Sequence, residues 1–373
     1  MDDSANNTLP DMPTPARGSF GCCTIDSKIY VLGGHVGPSH TWQVDNYTAQ
    51  VDCYDIGNNQ WLPTRTPRPL AAEGFRVAVY EQYIYAFGGF EYLAPETGKP
   101  NVYTGVSSDQ IDRYDTINDT WETVGKLPRP RSDNMIGIIG TTVYLFGGWS
   151  ANGITNKSPV LTEVDTFDLA TGAIGTAPVT FDPPFIGPPP EDTSSQIAET
   201  CARHTAPASD SQAPTISVSE STTSGKIDGG PDFEREPVLG GATISLGNSL
   251  YVFGGASRHV RVRTVWKFNP HKGELTRLPD MPKALFDQAV WYSEQLDTMY
   301  VLSGYSNGDY LSPNVYVLDR QSLQWSEKPP LQEPLMFFSV QEIAPKMLGI
   351  LGGSMNPATT GPQSAAFYRY PLV

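Results

Sequence analysis

The chain has 373 residues, 35 of them glycine and 33 proline, and only 17% are charged, against a usual level of about 25%. This wealth of turn formers excludes a helix bundle or coiled coil and suits many short strands joined by tight turns. A hydrophobic share of 39% excludes global disorder, and the net charge of −15 sets the surface against phosphate backbones and anionic lipids.

Nucleic-acid and membrane partners are therefore not expected. No run of 18 apolar residues exists, and the polar start MDDSANNTLP has no apolar segment of a signal peptide. The four cysteines, Cys22, Cys23, Cys53 and Cys201, form no CxxC pair and read as reduced thiols of a cytoplasmic protein. Sequons at Asn6, Asn46, Asn118 and Asn156 read as coincidence in a chain rich in Asn, Ser and Thr.

In chain order, an apolar strand ending in two glycines recurs as IYVLGG (29–34), IYAFGG (84–89), VYLFGG (143–148) and LYVFGG (250–255). Weaker copies follow as MYVLSG (299–304) and LGILGG (348–353). After each comes Tyr54, Tyr114, Phe167, Phe268, Leu318 or Phe367. Seven residues after the first five of these come Trp61, Trp121, Ile174, Leu275 and Trp325. That spacing predicts two adjacent strands joined by a tight turn such as DIGNNQ or DTINDT. With a short apolar strand ahead of the diglycine, as at Phe75–Val79 or Met135–Ile139, each repeat reads as four strands, the pattern of a propeller blade.

The diglycine after an apolar strand, followed by spaced Tyr and Trp, resembles the Kelch repeat. The resemblance covers nearly the whole chain, and it implies an all-β fold, a six-bladed β-propeller in one domain over residues 1–373. After Phe367 too few residues remain for a fourth strand. Leu9-Pro10-Asp11-Met12-Pro13 repeats Leu278-Pro279-Asp280-Met281-Pro282, so residues near Asn6–Leu9 are expected to supply the outer strand of the last blade. Closure of this kind leaves no free sheet edge.

The connections after the diglycine are longer in blades 1 to 3 than in blades 4 to 6. Residues 182–237, rich in Pro, Ser and Thr, cannot form a core and read as a disordered insert between blades 3 and 4, with a lid or partner-binding arm as the other reading. Both features lie on the face that carries the connections between the second and third strands.

That face offers His35, His40 and Trp42; Glu91, Tyr92, Glu96 and Tyr103; Trp149, Asn152 and Asn156; Arg258, His259, Arg261 and Arg263; and Tyr305, Asn307, Asp309 and Tyr310. Kelch proteins that bind acidic peptides use arginines where the inner strands begin. By motif position this implies that Arg17, Arg68 and Arg131 sit at the channel mouth and grip carboxylates. The expected ligand set is Arg17, Arg68, Arg131, His35, His40, Trp42, Tyr92, Trp149, Arg258 and Tyr305. Glu73, Asp133 and Asp287 fall within inner strands and are read as lining the channel beside Arg76, as a structural polar network or as a cation site.

No GxSxG, P-loop lysine or GxGxxG ahead of a helix occurs, and His35 and His40 lack nearby ligands for a metal. No metal or cofactor is expected. The reading is a monomeric binding module for a protein segment or small-molecule ligand. Its alternative is a stand-alone Kelch-fold isomerase, epimerase or lyase using His35, His259, Glu91, Asp133 and Arg131 as acid–base groups.

Overall fold

The computed structural model describes residues 7–38, 43–93, 105–151, 159–183, 238–257, 260–306, 310–355 and 362–373. These are almost entirely β. The first sheet comprises Gly21–Ile25, Lys28–His35, Tyr47–Asp55 and Gln60–Trp61. The second comprises Arg76–Tyr80, Tyr83–Phe87, Gln110–Asp115 and Thr120–Lys126, and the third Met135–Ile139, Thr142–Phe146, Glu163–Asp168 and Ile174–Thr180. Ala242–Leu246, Ser249–Phe253, Val265–Asn269 and Glu274–Leu278 form the fourth. Ala289–Ser293, Thr298–Leu302, Val315–Asp319 and Trp325–Lys328 form the fifth. The sixth has three strands, Ser339–Ala344, Met347–Leu351 and Phe367–Pro371. All six are antiparallel meanders.

The diglycines mark where one sheet meets the next. Gly88 and Gly147 have φ of +64° and +60°, a region that favours glycine. A Cβ on Gly88 would lie 2.4 Å from the Arg131 carbonyl, and one on Gly147 would lie 2.2 Å from the Val238 carbonyl. The fifth repeat has Ser303 instead, also left-handed, and its hydroxyl donates to the Leu335 carbonyl at 2.7 Å. The weak copy in the sequence is thus a substitution that turns the close approach into a hydrogen bond.

The seven-residue spacing is a register. Tyr54 pairs with Trp61, Tyr114 with Trp121, Phe167 with Ile174, Phe268 with Leu275 and Leu318 with Trp325. The intervening turns are held by Asp55, Asp115, Asp168 and Asp319, whose carboxylates accept backbone N–H bonds three residues on. Tryptophans then reach across sheets. Trp61 Nε1 donates to the Pro10 carbonyl, Trp121 Nε1 to Thr66 and Trp325 Nε1 to Pro279.

The N-terminal segment lies against the last strand. Leu9 donates its N–H to the Phe367 carbonyl, Met12 to Ala365, and Arg369 to the Asn7 carbonyl, each at 2.8 Å. Leu9 and Met12 are buried with Phe20, Tyr54, Leu351 and Phe367.

A second relation links the starts of the first strands. Ser19, Gly74, Asp133, Gly240, Asp287 and Phe337 are all left-handed, with φ between +49° and +63°. Gly74 donates its N–H to Ser19, Asp133 to Gly74, Gly240 to Asp133, Asp287 to Gly240 and Phe337 to Asp287, and Ser19 donates to Phe337. The first strand of each sheet touches the first strand of the next, and that of the sixth touches that of the first.

Candidate functional site

Four of the left-handed residues, Ser19, Gly240, Asp287 and Phe337, line a cavity of about 260 Å³ at the starts of the six first strands, with Phe20, Arg76, Met135 and Gln288 also in its wall. Around it, the residue after each diglycine pairs with the residue just before the left-handed one. The bridges are Gly18 with His35, Glu73 with Phe90, Ser132 with Trp149, Leu239 with Ala256, Phe286 with Tyr305 and Met336 with Ser354. His35, Phe90, Trp149, Ala256, Tyr305 and Ser354 therefore hold equivalent places around the cavity mouth. Short hairpins rise beyond them, such as Phe90–Tyr92 with Gly105–Ser107.

One side of this rim is aromatic. Phe90 stacks on Trp149 with ring centres 5.5 Å apart, and Tyr47 packs on Phe90 and on His35. Tyr92 joins the same cluster. On the other side, the Arg261 guanidinium lies 3.7 Å from the centre of the Tyr305 ring, a cation–π contact.

The three arginines expected at the mouth are placed elsewhere. Arg17, Arg68 and Arg131 are buried within sheets 1, 2 and 3. Arg17 bonds Asp52 at 2.5 Å, Arg68 bonds Asp112 at 2.9 Å, and Arg131 bonds Asp165 at 2.8 Å. Arg68 and Arg131 also donate to the carbonyls of Gly88 and Gly147. Burial lowers the pKa of each guanidinium, and the facing carboxylate offsets part of that. These pairs hold the three guanidinium groups inside the fold.

A sequence signal for this existed. Asp52, Asp112 and Asp165 each stand two residues before the strand-three aromatic in the repeats that carry the arginine. In the other repeats Trp266, Tyr316 and Ala365 stand there.

Of the remaining expected residues, His35 is buried, with Nδ1 3.5 Å from Gln363 Nε2. Glu91 is partly buried in its hairpin, and burial raises its pKa against the lowering effect of Arg68. Tyr92, Trp149 and Tyr305 lie on the rim. His40, Trp42, Glu96, Tyr103, Asn152, Asn156, Arg258, His259, Asn307 and Asp309 lie outside the described residues, as do Asn6, Cys201 and residues 184–237.

Glu73, Asp133 and Asp287 do come together at the mouth. Asp133 accepts from Trp149 Nε1 at 2.9 Å. A Cβ on Gly74 would lie 2.5 Å from Asp133 Oδ1, and one on Gly240 would lie 2.8 Å from Asp287 Oδ1. Each aspartate thus leans over the glycine of the preceding repeat. Burial, and then the charge of Asp133, push the Glu73 carboxyl well above the usual range. Burial and Asp133 do the same to Asp287, with Glu73 adding and Arg76 and Arg261 opposing. Among the described residues no three His, Cys, Asp or Glu side chains converge as a metal site.

Sequence reasoning missed Phe90 and Gln288, although repeat position could have found both. It named Tyr310 but missed the other exposed apolar residues of the rim. Val44, Leu93, Tyr310 and Met355 are exposed at 48, 47, 47 and 37%, and all four lie in connections between second and third strands. No helix among the described residues is long and apolar enough to cross a membrane.

Comparison with known proteins bears on the repeat itself. The Kelch motif model matches residues 16–67, 72–128 and 237–282, which carry the first, second and fourth sheets. The chain therefore carries Kelch motifs over these residues. It is 31% identical over 116 residues to Kelch repeat and BTB domain-containing protein 2 of cowpox virus, covering 29% of this chain and 19% of that protein. It is 24% identical to mouse Kelch-like protein 35, over 39% of this chain and 21% of that protein. Beta-scruin of Limulus polyphemus is 31% identical over 43% of this chain and 16% of its own length. The chain thus matches about a fifth of the length of these relatives. The third, fifth and sixth sheets have the same antiparallel build with Ile174, Ser303 or a missing fourth strand in place of the motif's residues.

Proposed function

We propose that this Kelch-repeat chain is a single six-bladed propeller over residues 1–373, closed by its N-terminal segment as the outer strand of the last blade. Residues 182–237 form an insert between the third and fourth blades. The cycle of six backbone hydrogen bonds from Ser19 to Phe337 supports six blades. The pairing of Leu9 and Met12 with Phe367 and Ala365 supports the closure.

In this reading the chain is a binding module that receives a protein segment on the face where the cavity opens. The observation that carries it is the placement of exposed apolar side chains. Val44, Leu93, Tyr310 and Met355 crown one face, beside the Phe90–Trp149 stack and the cavity. Exposed apolar residues beside a concave site suit a partner's anchor residues. Trp and Tyr at such a rim supply large contact areas with few rotatable bonds.

The test is selection of peptides from a random displayed library against the full chain. Selected peptides are expected to lose binding to a Leu93→Asp/Met355→Asp variant and to keep it with Ile117→Asp, a change at a still more exposed apolar residue on a turn of the opposite face. Peptides indifferent to the rim substitutions would refute the assignment of this face.

A further inference from the structure

Two acceptors in the cavity wall are left unsatisfied. Asp287 Oδ2 and Gln288 Oε1 are buried and have no hydrogen-bonding partner. Asp287 is 8% exposed and Gln288 6% exposed, and both stand in the cavity wall. The orientation of the Gln288 amide is fixed, because its Nε2 donates to the Phe253 carbonyl at 2.6 Å. A buried acceptor without a donor destabilises a fold, so this wall is incomplete until a donor arrives.

The charges point the same way. The charge of Asp133 acts on both Glu73 and Asp287, and that of Glu73 acts on Asp287. Two cations oppose this at Asp287. Arg76 lies in the wall with Nη1 3.4 Å from the Phe75 carbonyl, and Arg261 is laid over Tyr305. Neither satisfies Asp287 Oδ2. A ligand with several N–H donors and a positive charge would satisfy both orphaned acceptors and relieve the repulsion among the carboxylates.

We propose that the mouth at Asp287 and Gln288, flanked by Glu73 and Asp133, takes the cationic side chain, ammonium or guanidinium, of the inserted protein segment. This rests on the reading of this face as the binding face. The aromatic residues of the rim would pack the rest of the segment, while the cavity takes its basic side chain. Burial and like charge disfavour the ionised carboxyls of Glu73 and Asp287 in the empty mouth and a cation favours them, so its arrival shifts both towards ionisation.

The probes are Ac-Gly-Gly-Lys-Gly-Gly-NH₂ and its Arg and Glu counterparts, titrated calorimetrically against the full chain in about 0.15 M salt to screen non-specific attraction. The Lys or Arg peptide is expected to bind, and the Glu peptide not. Asp287→Asn keeps a side chain that tolerates the left-handed backbone, and it should weaken binding about tenfold or more. Glu73→Gln should weaken it in the same direction. Glu274→Gln removes the same charge from a distant outer strand and should change nothing. Titrations in buffers of different ionisation enthalpy should reveal proton release in wild type and less of it in either mouth variant. Equal weakening by Glu274→Gln, or tighter binding of the Glu peptide, would overturn the proposal. A library-selected peptide that needs Leu93 but carries no Lys or Arg would overturn it too, while leaving the binding face in place.

Discussion

Trp61 donates its indole N–H to the carbonyl of Pro10 at 2.9 Å, just as Trp325 donates to Pro279. Pro10 and Pro279 are the second residues of identical Leu-Pro-Asp-Met-Pro segments. The segment after the outer strand of the fourth sheet and the segment at the N-terminus thus occupy the same place relative to the next sheet. A tryptophan in the first repeat is bound to the same kind of neighbour as one in the fifth.

The closure reading makes the N-terminal residues structural. Deletion of residues 1–14 is expected to lower the melting temperature of the whole domain in one transition. Met12 is 2% exposed, and Met12→Ala alone should cost about 2–5 kcal/mol in chemical denaturation. A truncated chain that melts like the full one would show that the last sheet does not need this strand.

The buried arginines should behave as fold elements. Arg68→Met leaves Asp112 buried without its cation and should destabilise by about 3–5 kcal/mol. Asp112→Leu should do the same, and the double variant should recover much of the loss, as denaturant melts in a double-mutant cycle would show. Binding of a library-selected peptide should be unaffected in the double variant.

Much of this was legible in the sequence, and the reasons differ by element. The Tyr54–Trp61 and Leu318–Trp325 pairs were readable because a tight turn converts constant spacing into register. The pairing of the N-terminal segment with the last strand was readable because Leu9–Pro13 is a literal copy of Leu278–Pro282. The arginines were placed at the mouth because position in the motif gives a residue's height on the strand but not the direction of its side chain. The aspartates that turn them inward lie 34 to 44 residues away in the chain. Repeat position marks Gln288, but not that its oxygen is orphaned, because that depends on an amide held by Phe253 from a neighbouring sheet.

Left-handed positions give predictions of both signs. Gly74 has φ of +63°, and its Cβ would strike Asp133. Gly74→Ala should therefore cost more than Gly140→Ala, where φ is the same and nothing lies within 4 Å. The latter should lose about 1–2 kcal/mol, the left-handed term alone. Leu323 sits at φ +55° in an exposed turn where other repeats place Asn59 or Gly172. Leu323→Asn should stabilise by up to about 1 kcal/mol. Thermal melts of the three variants check the order.

The mouth carboxyls predict a pH dependence. Glu73 and Asp287 have pKa values raised above those of the unfolded chain, so the folded state binds the extra protons. Their effect favours folding below the ordinary carboxylate pKa, and this advantage is lost as pH rises through that range towards the raised values. At neutral pH Glu73→Gln and Asp287→Asn should each raise the melting temperature, and the gain should vanish at low pH. Variants that melt below wild type at neutral pH would count against burial as the cause of the shifts.

The most direct test of the binding face is a site-specific photo-crosslink. A benzophenone amino acid is placed at Leu93 in one full-length protein and at Ile117 in another, and each is irradiated with a library-selected peptide. The account predicts a covalent adduct from position 93 and none from position 117. An adduct from position 117, or equal yields from both, would contradict it.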